Sequence, residues 1–238
     1  MKFLITNDDG YNAIGIKKLV SYALKYGEVY VIAPKYQQSG KSHSLTLRRH
    51  FEIKKVEDII PGVKTWYVDS TPADCVKVAK YLLNLDVDVV LSGINDGYNI
   101  GDDILYSGTT AASTEAILCG YKSIAFSTGM NDLDRIDENF GFVFDYVMKN
   151  KILDKWCLYN INIPAGAKEI VFANQEGLHY SPEYCLDEDG LVDPKAIVLW
   201  TRLDNKETDI DMIHSGYITI TPLTVNRTNY EILHMFKK

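Results

Sequence analysis

Two adjacent carboxylates follow the first apolar segment of the chain. The segment KFLIT reads as a buried strand and runs directly into Asn7-Asp8-Asp9-Gly10. In α/β folds, ligand sites lie outside the carboxyl ends of the strands. Paired carboxylates raise each other's pKa unless a cation is bound, and a divalent ion with oxygen ligands meets that need. The same residues are also typical of a polar turn that caps the next helix, so both interpretations stand at this point.

Three further loops carry polar groups that could join this pair. They are rich in glycine, hydroxyl and amide residues, and they contain Ser39 beside Gly40, the segment SGINDGYNIG from Ser92 to Gly101, and Ser107-Gly108-Thr109. Each fragment alone is typical of an ordinary loop or helix cap. Because the carboxyl ends of parallel strands lie along one edge of a sheet, all of them can converge with Asp8 and Asp9.

The types of donor define the chemistry of such a site. Two carboxylates, a serine hydroxyl and an asparagine carbonyl are all oxygen ligands, which suit Mg²⁺, Mn²⁺ or Ca²⁺ and disfavour zinc. A helix that begins at Ser107 to Thr109 offers backbone N–H groups and the positive end of its dipole to an anionic phosphate. A metal beside a phosphate cradle predicts phosphoryl chemistry.

The elements that must position these loops predict a doubly wound, Rossmann-like, mostly parallel α/β sheet. The strand KFLIT, a helix with apolar spacing from Ile14 to Lys25 and the strand VYVIAP make a right-handed βαβ unit. The continuously apolar DVVLSGI is typical of a strand covered on both faces. Helices are predicted from Ala73 to Leu83 and from Thr110 to Leu118, and Ser123 to Phe126 is the fourth strand.

The remaining segments extend this sheet. SLTLRRHFEIKKV and TWYVDS predict a β-hairpin excursion between the second and third strands. After Asn139 a helix runs to about Lys149, and WCLYNINIP, EIVFAN, AIVLWTRL and YITITPL are predicted strands. Residues 175–193 are polar and turn-rich, which indicates either a mobile loop or an arm docked on a partner subunit. A final helix is expected from Arg227 to Phe236, and no linker divides residues 1–238 into separate domains.

The charge and composition of the chain exclude some classes of binding partner. The net charge of -7 argues against nonspecific nucleic-acid binding, which requires clustered positive charge. The four cysteines form no C-x-x-C pair and read as reduced, structural thiols. Asp8 and Asp9 interrupt the first apolar run too early for a secretory signal, and no segment has transmembrane length. We therefore expect a cytoplasmic protein that contacts no membrane.

The motifs together resemble a known enzyme family. NDDG, the APxxxxSG segment, SGINxGxNxG, the YSGT helix start, NINIP and GYITITPL resemble the SurE family of metal-dependent 5'/3'-nucleotidases nearly end to end. The resemblance implies a cytoplasmic enzyme for nucleoside monophosphates that uses Mg²⁺ or Mn²⁺ and forms a homodimer or homotetramer. It also implies a C-terminal arm near residues 224–238 that is exchanged between subunits. The metal ligands it implies are Asp8, Asp9, Ser39 and Asn95, and the residues of its phosphate site are Asn99, Ser107, Gly108 and Thr109.

We expect hydrolysis by a metal-activated water, with Asp8 or Asp9 accepting the proton. His43 lies near Ser39 in sequence and is either an assisting group or a solvated loop residue. A receiver-like signalling domain also has an acidic pair after its first strand, but it needs an aspartate where DVVLSGI ends in Ser92-Gly93. A non-catalytic metal- or nucleotide-binding module is the other alternative, although neither G-x-G-x-x-G nor a P-loop follows the first strand.

Overall fold

A nine-stranded sheet with helices on both faces forms the centre of the protein. The computed structural model describes residues 1–167, 169–199 and 207–237. Its strands are β1 (Lys2–Thr6), β2 (Glu28–Pro34), β3 (Ile53–Val56), β4 (Thr65–Val68), β5 (Val89–Asp96), β6 (Lys122–Thr128), β7 (Leu158–Ile163), β8 (Ile170–Phe172), β9 (Tyr180–Leu186), β10 (Val192–Val198) and β11 (Ile218–Pro222). Its α-helices are α1 (Ile14–Ala23), α2 (Pro72–Lys77), α3 (Gly108–Leu118), α4 (Asp137–Lys149), α5 (Ile152–Lys155), α6 (Asp209–His214) and α7 (Tyr230–Phe236).

The strand order in the sheet is β3-β4-β2-β1-β5-β6-β7-β11-β8. The strands that follow β1 in the sequence therefore lie on both sides of it. β1 pairs in parallel with both β2 and β5, and β6 and β7 continue the parallel array. Thr6 at the end of β1 lies beside Ser92 of β5, so the loops after these two strands leave the same edge of the sheet. The prediction of a doubly wound, mostly parallel α/β sheet is confirmed.

The predicted β-hairpin excursion belongs to this sheet. β3 runs antiparallel to β4, and β4 in turn pairs in parallel with β2, where Val68 lies beside Pro34. The hairpin therefore extends one end of the sheet. At the other end β11 runs antiparallel to β7 and pairs in parallel with β8.

The two faces of the sheet differ in polarity. Side chains alternate between faces along a strand, and one set joins the largest apolar cluster with residues of α1 and α4. From the strands this cluster includes Phe3, Ile5, Leu91, Phe126, Ile161 and Ile220. The opposite face carries a layer of buried polar residues, namely Thr6, Ser92, Ser127, Asn160, Asn162, Thr219 and Thr221. α3 covers this polar layer with residues that are themselves small or hydroxylated.

Residues 175–193 are more regular than predicted. β9 and β10 form an antiparallel two-stranded ribbon, and the Asp187 side chain closes its turn by accepting hydrogen bonds from the backbone N–H groups of Asp189 and Leu191. The polar composition concealed these strands because the ribbon is solvated and its side chains are largely exposed. Residues 200–203 of the predicted strand AIVLWTRL lie outside the described residues, so that part of the prediction stays open.

The predicted helices differ from the structure mainly at their ends. α2 begins at Pro72, where Thr71 caps it, and continues as a wider helical turn over Val78–Leu82. α7 begins at Tyr230 rather than Arg227 because the Asn229 side chain caps it. Among the described residues, no helix is long and apolar enough to cross a membrane.

Phe140 tests the packing of the apolar face. Its ring is fully buried, and its centroid lies 4.9 Å from that of Tyr22 and 5.1 Å from that of Phe126. Phe140→Ala should lower the free energy of unfolding by roughly 3–5 kcal/mol, because the substitution leaves a cavity. The matched control is Phe142→Ala on the same helix, since Phe142 is exposed. Denaturant titration of both variants measures the difference, and equal losses would contradict this account of the core.

Candidate active site

Asn7 shapes the turn that presents the two carboxylates. Its side-chain amide donates to the Gly10 carbonyl over 2.9 Å and accepts from the Gly10 N–H over 3.2 Å. Gly10 has a φ of +108°, a conformation that favours glycine. The helix α1 starts only at Ile14, and its N-cap residue Ala13 makes no side-chain cap. The segment is therefore a polar turn, as one interpretation predicted, but it does not cap the helix.

Asp8 is buried against the first turn of α3. The Thr109 hydroxyl donates a hydrogen bond to its Oδ1 atom over 2.5 Å, and a Cβ atom at Gly108 would lie 2.7 Å from the Asp8 Cβ. Burial raises the pKa of the Asp8 carboxyl, whereas the Thr109 hydroxyl and the backbone N–H groups of Thr109 and Gly108 lower it. The carboxylate thus lies at the positive end of the helix dipole, at a distance that only glycine at position 108 permits.

Asp9 lies between the loops that follow β2 and β5. Gln37 Nε2 is 3.5 Å from Asp9 Oδ1 and 3.0 Å from Ser39 Oγ, so it bridges two of the predicted ligands. Burial, together with the nearby carboxylates of Asp8 and Asp96, raises the pKa of Asp9 to about 6. The ion pairs among the described residues include neither Asp8 nor Asp9. The edge therefore carries negative charge that no described basic side chain neutralises.

Asn95 stands near the end of β5, beside Ser127 of β6. Its Nδ2 atom donates to the Gly97 carbonyl over 2.7 Å, which leaves the side-chain carbonyl oxygen available for a ligand. Asn99, four residues later, is buried and donates through Nδ2 to Ser127 Oγ over 2.7 Å. Both amides thus make contacts that hold them at the third loop of the predicted site.

Backbone hydrogen bonds connect the loops. The Gln38 N–H donates to the Asp8 carbonyl over 2.7 Å, which joins the loop after β2 to the turn after β1. The Ser42 N–H donates to the Tyr106 carbonyl over 2.9 Å, which joins the same loop to the residue before Ser107. The structure therefore brings Asp8, Asp9, Ser39 and the start of α3 to one edge of the sheet. Their predicted roles as ligands and phosphate-site residues stay predictions.

Ser107 caps α3 and, with Asp8, satisfies its first turn. The Ser107 hydroxyl accepts a hydrogen bond from the Thr110 N–H over 3.1 Å. The backbone N–H groups of Gly108 and Thr109 face Asp8, as the pKa of its carboxyl reflects. The helix start that we expected to receive phosphate therefore also holds a carboxylate of the same site.

His43 has a partner that the sequence did not indicate. Its Nε2 atom lies 2.7 Å from Glu115 Oε2 on α3, and Lys77 Nζ of α2 lies 3.3 Å from the other oxygen of that carboxylate. His43 and Lys77 both lower the pKa of the buried Glu115 carboxyl. His43 is half-buried, and its contact with Glu115 anchors the loop that carries Ser39 to α3.

Sequence reasoning missed three polar residues at this edge. Asp96 follows Asn95 directly, and its acidic side chain next to a predicted ligand was a usable signal. Gln37 lies two residues before Ser39 in a loop of unremarkable polar residues, so only the structure reveals its bridging contact. Glu115 was treated as part of an ordinary helix, because its partners His43 and Lys77 are distant in sequence.

The donor groups fit a hard divalent cation. Carboxylates, a hydroxyl and an amide carbonyl supply oxygen only. Burial first, and then the charges of Asp8 and Asp96, raise the pKa of Asp9, and a bound cation would favour its charged form. Within the described ranges, no group of three or more His, Cys, Asp or Glu side chains could hold a metal ion.

Fold and site together define a Rossmann-like α/β protein with an oxygen-rich site at the carboxyl ends of its parallel strands. A family model described as "Survival protein SurE" matches residues 3–181. The solved structure of the SurE protein from Aquifex aeolicus superposes with a TM-score of 0.83 at 32% sequence identity. That comparison covers 100% of this chain and 98% of the other.

Curated relatives agree with these matches. The 5'-nucleotidase SurE of Clostridium botulinum (strain Alaska E43 / Type E3) is 36% identical over 257 aligned residues, which cover 100% of this chain and 99% of the relative. The 5'-nucleotidase SurE of Campylobacter lari is 34% identical, with coverage of 100% and 97%. The chain belongs to the SurE family.

Glu115→Gln tests the anchor between α3 and the Ser39 loop. Because the pKa of this carboxyl is held below its ordinary value of 4.5, its charge stabilises the folded state above that pH. The contribution is lost as the pH falls through the lowered value. The variant should be less stable than the parent by roughly 1–3 kcal/mol at neutral pH, with a smaller difference below pH 4.5.

Denaturant unfolding at neutral pH and near pH 3 measures this effect. Glu138→Gln is the control, because Glu138 is an exposed glutamate on α4 and should change stability little at either pH. A Glu115→Gln difference that stays constant down to about pH 3 would show that the charge of Glu115 is not what stabilises the contact.

Proposed function

We propose that the protein is a metal-dependent phosphomonoesterase that hydrolyses nucleoside 5'- and 3'-monophosphates to nucleoside and inorganic phosphate. The observation that carries this proposal is the convergence of Asp8 and Asp9, at the end of β1, with the first turn of α3. Relatives named 5'-nucleotidase SurE, at 34–36% identity over almost the entire chain, support the same conclusion.

The proposed metal ligands are Asp8, Asp9, Ser39 and Asn95. The proposed ion is Mg²⁺ or Mn²⁺, and Ca²⁺ could occupy the same all-oxygen site. When bound, a divalent ion supplies neutralisation of phosphate charge and a bound water of lowered pKa. In this proposal the turn made by Asn7 holds the two carboxylates, and Gln37 holds the Ser39 hydroxyl beside Asp9.

The chain's own residues bind and orient the phosphate in this proposal. The proposed contacts come from Asn99, Ser107, Gly108 and Thr109, where the dipole of α3 attracts an anion. In this proposal Asp8 or Asp9 accepts the proton of the attacking water. Thr109 orients the first of them through its hydroxyl.

A receiver-like signalling domain or a non-catalytic binding module is the less favoured alternative. β5 does extend to an aspartate, Asp96, two residues beyond the expected strand end. Family membership along nearly the whole chain nevertheless points to hydrolysis, because the curated relatives are named as nucleotidases. Release of phosphate is the property that separates the two classes.

The proposed assembly is a homodimer or homotetramer of a single domain, residues 1–238, with an exchanged arm near 224–238. The helix α7 in that arm has no buried residue, and its apolar side chains Ile232, Met235 and Phe236 are exposed. An apolar helix surface of this kind is typical of a contact with another chain. The proposed location is the cytoplasm, which suits four free cysteines.

Asp9→Asn is the direct test of the activity. The variant should release phosphate from nucleoside monophosphates at least roughly 100-fold more slowly than the parent, because a charged ligand of the ion is lost. EDTA should abolish turnover of the parent, and added Mg²⁺ or Mn²⁺ should restore it. Asp134→Asn is the matched control, since that aspartate is exposed and lies outside the site. Near-normal turnover by Asp9→Asn would reject the assignment of this residue.

Tyr106 is a candidate platform for the nucleobase. Three loop tyrosines, Tyr98, Tyr106 and Tyr180, could stack on a base or contact another subunit. Tyr98 packs against the apolar cluster of Ile100, and Tyr180 is half-buried beside His179. Tyr106 is 63% exposed and immediately precedes Ser107, so it is the one of the three that is open to a ligand.

Tyr106→Ala should raise KM for a nucleoside monophosphate by roughly 5- to 100-fold, the cost of one lost base–aromatic stack. KM for ribose 5-phosphate, which has no base, should not change. Tyr106→Phe keeps the ring and should behave as the parent does. Equal KM changes for both substrates, or a changed molar mass in solution, would instead assign Tyr106 to general positioning or to a subunit contact.

A further inference from the structure

The backbone of Asn99 is held by two asparagine side chains from β7. Asn162 accepts from the Asn99 N–H through Oδ1 over 2.9 Å and donates to the Asn99 carbonyl through Nδ2 over 2.9 Å. Asn160 donates to the same carbonyl over 2.7 Å. All three residues are buried. One residue of the proposed phosphate site thus has both of its peptide groups fixed by side chains.

The Asn162 side-chain amide makes the two hydrogen bonds that the backbone of a neighbouring strand would otherwise make to the peptide groups of Asn99. Asn99 lies between the end of β5 and the helical turn Gly101–Leu105, and no backbone–backbone hydrogen bond among the described residues involves it. A buried peptide group without a partner is costly, so this segment requires side-chain partners to adopt a single conformation. An amide side chain carries both the donor and the acceptor that such a peptide needs.

The same row of the sheet also holds the Asn99 side chain. Ser127 of β6 accepts from Asn99 Nδ2, and in the sheet register Ser127 lies between Asn95 of β5 and Asn162 of β7. At this level of the sheet, three neighbouring strands therefore carry the proposed metal ligand Asn95 and two of the side chains that hold Asn99, namely those of Ser127 and Asn162. Strands of a covered sheet are rigid, so they can hold this loop more accurately than the loop could hold itself.

We propose that Asn162, assisted by Asn160, is a positioning residue for phosphate binding that acts through Asn99. The proposal rests on the function proposed above, in which Asn99 contacts the phosphate. The hydrogen bonds of the Asn162 side chain are made to the Asn99 peptide groups. This side chain fixes the peptide of Asn99, and Ser127 fixes the amide, so that the second Nδ2 hydrogen of Asn99 can donate to the anion.

Two other buried polar residues of the same layer make no side-chain hydrogen bond to Asn99. A polar side chain in this layer is therefore not sufficient to hold Asn99. Ser113 of α3 and Thr219 of β11 are also buried, and their hydroxyls have no hydrogen-bond partner within the described part of the chain. Thr219 lies directly beside Asn162 in the sheet. These two residues belong to the same layer without contacting Asn99, which makes them matched controls.

The test measures competitive inhibition by inorganic phosphate, together with KM and kcat for a nucleoside monophosphate, on the full chain with saturating Mg²⁺ or Mn²⁺. Asn162→Ala should raise both KM and the phosphate inhibition constant about tenfold, a typical effect for a residue that orients a ligand contact. kcat should fall less than KM rises. The metal concentration for half-maximal activity should stay that of the parent, because the proposed metal ligands are unchanged.

A double-mutant cycle identifies the route through Asn99. If Asn162 acts through Asn99, then Asn162→Ala should add nothing to the phosphate inhibition constant of Asn99→Ala. Ser113→Ala and Thr219→Val should leave this constant unchanged, even where thermal unfolding shows some loss of stability. Ser127→Ala should change it in the same direction as Asn162→Ala.

The outcomes separate the two proposals. A parent protein without phosphate release would reject the proposed function itself. An active parent whose Asn162→Ala variant keeps the parental phosphate inhibition constant would reject only the positioning role. Full additivity of Asn162→Ala and Asn99→Ala would also reject it, since it would mean that Asn162 acts independently of Asn99. Equal effects of Asn162→Ala and Thr219→Val would assign Asn162 to the stability of the layer.

Discussion

The contact between the Asp8 carboxylate and the first turn of α3 is the interaction on which the site depends. It places a buried charge against a hydroxyl, two backbone N–H groups and the positive end of a helix dipole. The contact requires glycine at position 108, because any larger residue would collide with Asp8. It also fixes the distance between β1 and α3, and therefore the distance between the proposed metal ligands after β1 and the proposed phosphate-binding residues at the start of α3.

Much of this site could be predicted because its residues follow strand ends. Asp8, Asp9 and Asn95 come directly after or at the end of apolar runs, and parallel strands bring such positions to one edge. Contacts between distant side chains could not be predicted in this way. The pairing of His43 with Glu115, and the support of Asn99 by β7, depend on how α3 and β7 pack rather than on any local pattern.

In the fold, as in the site, the features that depend on a local sequence pattern could be predicted and the others could not. Apolar runs and helical spacing identified the central strands and helices correctly, since these elements bury continuous apolar surface. Of the ribbon of β9 and β10, only the end of β10 lies within the predicted strand AIVLWTRL, because most of the described ribbon side chains are exposed and give no apolar signal. Helix ends shifted by a few residues wherever a side chain such as Asn229 supplied the cap.

The difference in polarity between the two faces of the sheet also favours one alignment of neighbouring strands over the others. In β7 the alternation of asparagine and isoleucine means that a slip of one residue would exchange the two sets of side chains. Asparagines would then enter the aromatic cluster around Phe126, and isoleucines would meet the hydroxyls of α3. The asparagines would lose their hydrogen bonds to Asn99 and be buried without partners, which makes misaligned pairings costly. The polar layer behind the site therefore specifies strand register as well.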